Sequence, residues 1–193
     1  MGDRQLGKVH GNPSGHFEDQ DFLFLNDTVV HRWNDPIPLE RISPALKEGF
    51  SGMYKKLVEK REGEHELWGV KDPRLCFTLP MLLDCVPQDA RIIWTHRSLE
   101  ACIKSMAARD KMPEQGAARI CQMYENAKME QLEKIGCPKT GVDYDQLIEK
   151  PASVIEMIGK LVFEDMDPPP EEAVQDALKH VDPELRHWKG GTS

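Results

Sequence analysis

Ile92-Ile93-Trp94-Thr95-His96-Arg97-Ser98-Leu99-Glu100-Ala101-Cys102-Ile103-Lys104-Ser105 changes character at its middle. Ile92 to Thr95 is continuously apolar, the pattern of a strand in a sheet covered on both faces. From Ser98, a residue suited to capping, the pattern predicts a helix to about Ala108. Strands alternating with helices, in this stretch and on either side of it, predict an α/β layer fold with a mostly parallel sheet. In such folds, functional loops gather at the carboxyl ends of the strands.

Arg97 stands at such an end. A helix N-terminus offers unsatisfied N–H groups and about half a positive charge. A guanidinium beside it adds a planar fork of donors, so phosphate or sulfate is a natural guest. Ser105 lies eight residues beyond Arg97. At ~1.5 Å per residue it sits two turns into the helix, roughly 10 Å from the cap. Ala101, four residues before Ser105, shares its face and is small enough to leave a phosphate room. The same residues also admit a plainer reading, in which Arg97 pairs with Glu100 and Ser105 is a surface hydroxyl.

Outward from this stretch, Leu67-Trp68-Gly69-Val70 reads as a buried strand stopped by Pro73, and Val142-Asp143-Tyr144 as a short third strand or extended segment. Lys71-Asp72-Pro73-Arg74 follows the first of these directly and places two cations around a carboxylate. It reads either as a functional turn at the sheet edge or as an ion-paired turn in which Asp72 caps and Arg74 pairs with it. Helices are expected over Phe17 to Trp33, where Phe22, Leu25, Val29 and Trp33 form one apolar face, and from Ser43-Pro44 onward. The second of these frays into the charged run Glu59 to Glu64, a solvated end. Further helices are expected from Thr78 through Leu83, over Glu114 to Ile135, from Pro151 through Leu161, and over Glu171 to His180. Asn12-Pro13-Ser14-Gly15 and Pro168-Pro169-Pro170 are breaks.

The chain has 193 residues, 39% of them hydrophobic and 30% charged, which suits a single globular domain over 1–193. Residues 1–11 read as flexible and 184–193 as a polar tail. The net charge of −8 disfavours DNA or RNA as a partner, because backbone binding needs a basic footprint. No apolar run approaches the roughly 20 residues that cross a bilayer. The N-terminus lacks the apolar stretch of a secretory signal, and Leu6 stands where a myristoylation signal at Gly2 wants Ser or Thr. The five cysteines form no Cys-x-x-Cys pair and are odd in number, which argues against a disulfide scaffold or zinc site and for reduced thiols in a cytoplasmic protein. No metal is expected.

The element from Ile92 to Ser105 resembles the 3′-phosphate-binding element of sulfotransferases that use 3′-phosphoadenosine 5′-phosphosulfate (PAPS). Three more segments resemble those of bacterial and phage members in the same order: Asn12-Pro13-Ser14-Gly15-His16-Phe17-Glu18, Lys71-Asp72-Pro73-Arg74, and Val142-Asp143-Tyr144-Asp145-Gln146-Leu147 followed by Pro151. The likeness covers about Asn12 to Leu161. It implies a P-loop-NTPase-like sulfotransferase fold, three-layered around its sheet. It implies transfer of a sulfuryl group from PAPS, leaving 3′-phosphoadenosine 5′-phosphate (PAP), to a hydroxyl or amine of a small or saccharide acceptor.

On that likeness Arg97 and Ser105 hold the 3′-phosphate, Tyr144 stacks near the adenine, Lys71 stabilises charge on the sulfuryl group or leaving phosphate, and Glu18 is the candidate base. His16 and His96 are rival bases. Two departures stand out. Ser98-Leu99 replaces the family's usual Asp-Pro, and no Pro-Arg-Ser-Gly-Thr-type phosphosulfate loop occurs, so the fold is expected to be incomplete at its N-terminus. The alternative function is therefore a catalytically impaired nucleotide-binding or protein-interaction domain derived from a sulfotransferase. An incomplete sheet also predicts weak homo-oligomerisation through an open edge. Arg186-His187-Trp188-Lys189-Gly190 resembles a C-terminal nucleotide loop of cytosolic members.

Overall fold

A computed structural model describes residues 18–31, 43–163 and 168–182. Its elements run α1 (Gln20–His31), α2 (Pro44–Glu64), α3 (Leu75–Leu83), β1 (Ile92–His96), α4 (Leu99–Asp110), α5 (Glu114–Lys134), β2 (Lys139–Asp143), α6 (Tyr144–Glu149), α7 (Pro151–Val162) and α8 (Glu171–Leu178). The fold is α/β and mostly helical, and among the described residues the sheet has two strands. β1 and β2 are parallel, in a register that pairs Ile92 with Lys139 and His96 with Asp143. The contacts group the chain into two compact units. The first comprises Met1–Pro87 and Gln122–Ile135, the second Gln88–Cys121 and Gly136–Ser193. The segments 1–11 and 184–193, the Asn12 to Phe17 segment, Trp33 and the Arg186 to Gly190 segment lie outside the described residues.

In the first unit, the apolar stripe of α1 does what its spacing dictates. Phe22, Leu25 and Val29 are buried together with Phe50, Tyr54 and Val58 of α2 and Met81 and Leu82 of α3. Asp19 caps α1 by accepting hydrogen bonds from the amides of Asp21 at 3.0 Å and Phe22 at 3.4 Å. Ser43 caps α2, its hydroxyl accepting from the Leu46 amide, with Pro44 opening the first turn.

Two expectations fail in this unit. Leu67 to Val70 forms no strand. Its apolar residues are spent on the helical core instead: the Trp68 ring stacks on Phe22 at 6.0 Å, Val70 packs against the same cluster, and Leu67 is exposed. The charged run at Glu59 to Glu64 is solvated as expected except at Arg61, but it does not fray. The helix continues to Glu64, and Arg61 is buried at 3% exposure, where it donates from Nε to Asp19 at 2.9 Å and from Nη2 to Asp21 at 2.9 Å. Three carboxylates, those of Asp19, Asp21 and Glu64, surround this one guanidinium and compensate its desolvation.

In the second unit, α7 packs on β2, and Val142, Val154 and Ile155 are buried there. The expectation that β1 is covered on both faces also fails. Exposure alternates along it between half-buried and exposed, with Ile93 43% exposed, so one face is partly covered and the other faces solvent. On the face opposite Val142, the ring of Trp94 lies across Gly141. A Cβ there would approach the ring to 2.5 Å, so the pairing of Trp94 with position 141 requires glycine.

Candidate functional site

The second unit holds Arg97, Ser105, Tyr144 and the rival base His96. β1 ends at His96, and α4 begins beyond Ser98, whose hydroxyl accepts from the Ala101 amide at 3.2 Å. Because the strands are parallel and His96 is paired with Asp143, the chain leaves both strands side by side, with Arg97 from one and Tyr144 from the other. The Arg97 guanidinium carbon lies 4.7 Å from the centroid of the Tyr144 ring, a cation–π contact. Arg97 Nε is 3.8 Å from Asp145 Oδ1, and the Arg97 side chain is only 13% exposed.

One rung back, His96 Nδ1 is 3.5 Å from Asp143 Oδ2, while Asp143 Oδ1 caps α6 by accepting from the Gln146 amide at 2.9 Å. The plainer pairing of Arg97 with Glu100 does not form. Glu100 instead accepts from Lys104 at 2.6 Å, and that hydrogen bond holds its carboxyl below the ordinary range. Ser105 is half-buried on the face of Ala101, and Ala101 itself is covered by protein at 1% exposure. A shallow groove runs beside α4 and the start of α5, lined by Leu99, Glu100, Ile103, Lys104, Glu114, Gln115 and Ala118; neither Arg97 nor Ser105 lines it.

The first unit holds Lys71 and Glu18. Lys71 Nζ meets Glu18 Oε1 at 3.1 Å; Lys71 is about half exposed and Glu18 is buried. Arg74 Nη1 approaches the other Glu18 oxygen at 3.9 Å. The ion-paired reading of the turn describes Asp72 and Arg74 well. Asp72 Oδ1 accepts from the Arg74 amide at 2.8 Å and from Arg74 Nη1 at 3.0 Å. Its Oδ2 accepts from Asn26 Nδ2 at 2.9 Å. Burial opposes the Arg74 charge, but Asp72, Asp27 and Glu18 outweigh it and push the guanidinium above its ordinary range.

Sequence reasoning missed the hub beneath this turn. Asn26 Oδ1 accepts from the Tyr54 hydroxyl and, at 2.8 Å, from Thr78, and all three residues are fully buried. Burial pushes the Tyr54 hydroxyl up to about 12. The signal was present: Asn26 stands one helical turn beyond Phe22, a polar residue inside an apolar stripe, and such residues are retained where a buried partner awaits them. Asp145 was missed in the same way, read as part of a segment rather than as a charge near Arg97.

Of the rival bases, His96 lies in the second unit and His16 falls outside the described residues. The cysteines keep their thiols, and burial pushes that of Cys76 up to about 11, the wrong direction for a nucleophile. Among the described residues, no group of three or more His, Cys, Asp or Glu side chains is placed to hold a metal ion, and no helix is long and apolar enough to cross a membrane. Comparison with family models, characterised proteins and solved structures returned no match.

Proposed function

We propose that this chain is a sulfotransferase-like protein that binds PAPS and transfers its sulfuryl group to an acceptor hydroxyl or amine, with a P-loop-NTPase-like sulfotransferase fold. The observation that carries the reading is the pairing of Arg97 with Tyr144 at the common end of two parallel strands. A guanidinium at the start of a capped helix and an aromatic ring in contact with it are the two surfaces that a phosphorylated nucleoside needs, one for the phosphate and one for the base. The donors suit a phosphate monoester: the Arg97 fork, the first amides of α4 and the Ser105 hydroxyl are all neutral or cationic. In this reading the 3′-phosphate of PAPS takes Arg97 and Ser105, and Tyr144 lies near the adenine.

The transfer chemistry is assigned to Lys71 and Glu18, whose contact lies within the first unit. The acceptor oxygen forms a bond to sulfur as the bond between sulfur and the 5′-phosphate oxygen breaks. The acceptor proton goes to the Glu18 carboxylate, and PAP leaves with the electron pair. Lys71 stabilises the charge that accumulates on the transferring and leaving oxygens, as positioning and charge stabilisation dominate related phosphoryl transfers. The reading also carries a cytoplasmic location and weak self-association.

One observation favours a second reading, nucleotide binding without transfer. Asp72 and Arg74 are consumed by the buried network under their turn, and Lys71 is already paired with Glu18. Titration calorimetry with PAP, followed by transfer of labelled sulfate from PAPS, separates the two. PAP binding should weaken by about 1.5–3 kcal/mol in Arg97→Ala, the range for a charged hydrogen bond. Transfer that depends on Lys71 supports the enzyme; binding with no turnover on any acceptor leaves the binding domain. Affinity unchanged by Arg97→Ala removes the assignment altogether.

A further inference from the structure

We infer that Asp145 is an intrachain competitor for the anion site of Arg97, a carboxylate that holds the guanidinium ready when no nucleotide is bound and is displaced by one. The inference rests on the assignment of Arg97 to a nucleotide phosphate and adds a regulator to that site. Three observations within the second unit carry it. Arg97 is held on two sides, by the Tyr144 ring at 4.7 Å and by the Asp145 carboxylate at 3.8 Å. The guanidinium is 13% exposed while Asp145 is 39% exposed, so the acid lies nearer to water than the cation it faces. The Nε···Oδ1 separation of 3.8 Å is an ion-pair distance, longer than a hydrogen bond between those two atoms.

A phosphate monoester brings close to two negative charges and three acceptor oxygens and can bond the guanidinium fork directly. A carboxylate at longer range brings one charge. The monoester therefore wins the guanidinium, and Asp145 turns outward, while the Tyr144 contact remains. Neighbouring charges keep the competition local. Asp143, the other acid at this end, is occupied by its cap on α6 and by His96, and Glu100 on α4 is occupied by Lys104. Asp145 thus sets a threshold: ligands with a terminal phosphate monoester pass it, and singly charged or uncharged nucleosides do not.

The test uses the full chain and PAP as the probe, in calorimetry at fixed ionic strength, with Asp145→Asn and Glu149→Gln compared to the parent. Glu149 lies on the same helix and its replacement changes the net charge equally. The expected result is PAP binding about fivefold tighter in Asp145→Asn, the upper range for releasing a partly exposed ion pair, and changed less than about twofold in Glu149→Gln. Asp145→Ala, which removes the carboxylate with no new hydrogen-bonding group, should behave like Asp145→Asn. Equal tightening in Glu149→Gln, or PAP binding by the parent that neither Asp145 variant improves, overturns the competitor and leaves the nucleotide site standing. No PAP binding in any variant overturns the nucleotide assignment and the competitor with it.

Discussion

Tyr54 offers a measurement in which the buried hub can be read directly. Its hydroxyl donates to Asn26 in a fully buried setting, and burial raises its ionisation from the ordinary 10.0 to about 12. The folded chain therefore holds this proton more tightly than the unfolded chain. Its stabilising effect is complete below pH 10 and is lost progressively as pH rises toward 12, because the unfolded state binds fewer protons there. A displacement of that size corresponds to about 3 kcal/mol in total.

Tyr54→Phe keeps the ring in the core, in contact with Phe22, and removes the ionisation. It also removes one hydrogen bond, but Asn26 Oδ1 keeps its bond from Thr78, so no acceptor is orphaned. The cost at neutral pH should be about 1 kcal/mol. The variant is thus less stable than the parent at pH 7, equal to it near pH 11, and more stable above that. Urea unfolding at a series of pH values gives the two curves, and the tyrosinate absorbance difference between parent and variant gives the ionisation itself. Loss of the Cys76 proton, which burial also delays, to about 11, affects both proteins and cancels in the difference. Curves that stay parallel from pH 7 to pH 12, or a Tyr54 that ionises in the folded protein at its ordinary value, would refute the reasoning.

Two further outcomes are expected from packing. Gly141→Ala should destabilise the second unit by about 1–3 kcal/mol and shift tryptophan emission, because the new Cβ overlaps the Trp94 ring, whereas alanine's better fit to a strand would predict a small gain; a gain in denaturant midpoint would show that the ring yields freely. Arg61→Ala should cost about 3–5 kcal/mol, because Asp19 stays buried without its cation, and urea unfolding should show far less loss in Lys60→Ala, whose bond to Asp21 is exposed.

Much of the secondary structure was legible because its causes are local. Ser98 and Ser43 are caps whose hydroxyls reach amides three residues on, and both helices begin where those residues predict. The apolar stripe of α1 needed only its spacing. The pairing of Lys71 with Glu18 across 53 residues could not be obtained from either segment alone.

What the sequence could not decide is where an apolar or charged run finds its partner. Leu67 to Val70 has the composition of a strand, yet Trp68 gains more by stacking on Phe22 than by joining a ladder, since a strand is stable only beside another strand. Arg61 looked like one charge in a solvated run until Asp19 and Asp21, some forty residues earlier in the chain, came to surround it. Arg97 and Tyr144 each announced themselves at the end of a strand, but only the parallel register of β1 and β2 placed guanidinium, ring and Asp145 together. Caps and stripes depend on neighbours within a turn of helix; ion pairs, buried hubs and strand registers depend on residues that only chain folding brings within a few ångströms.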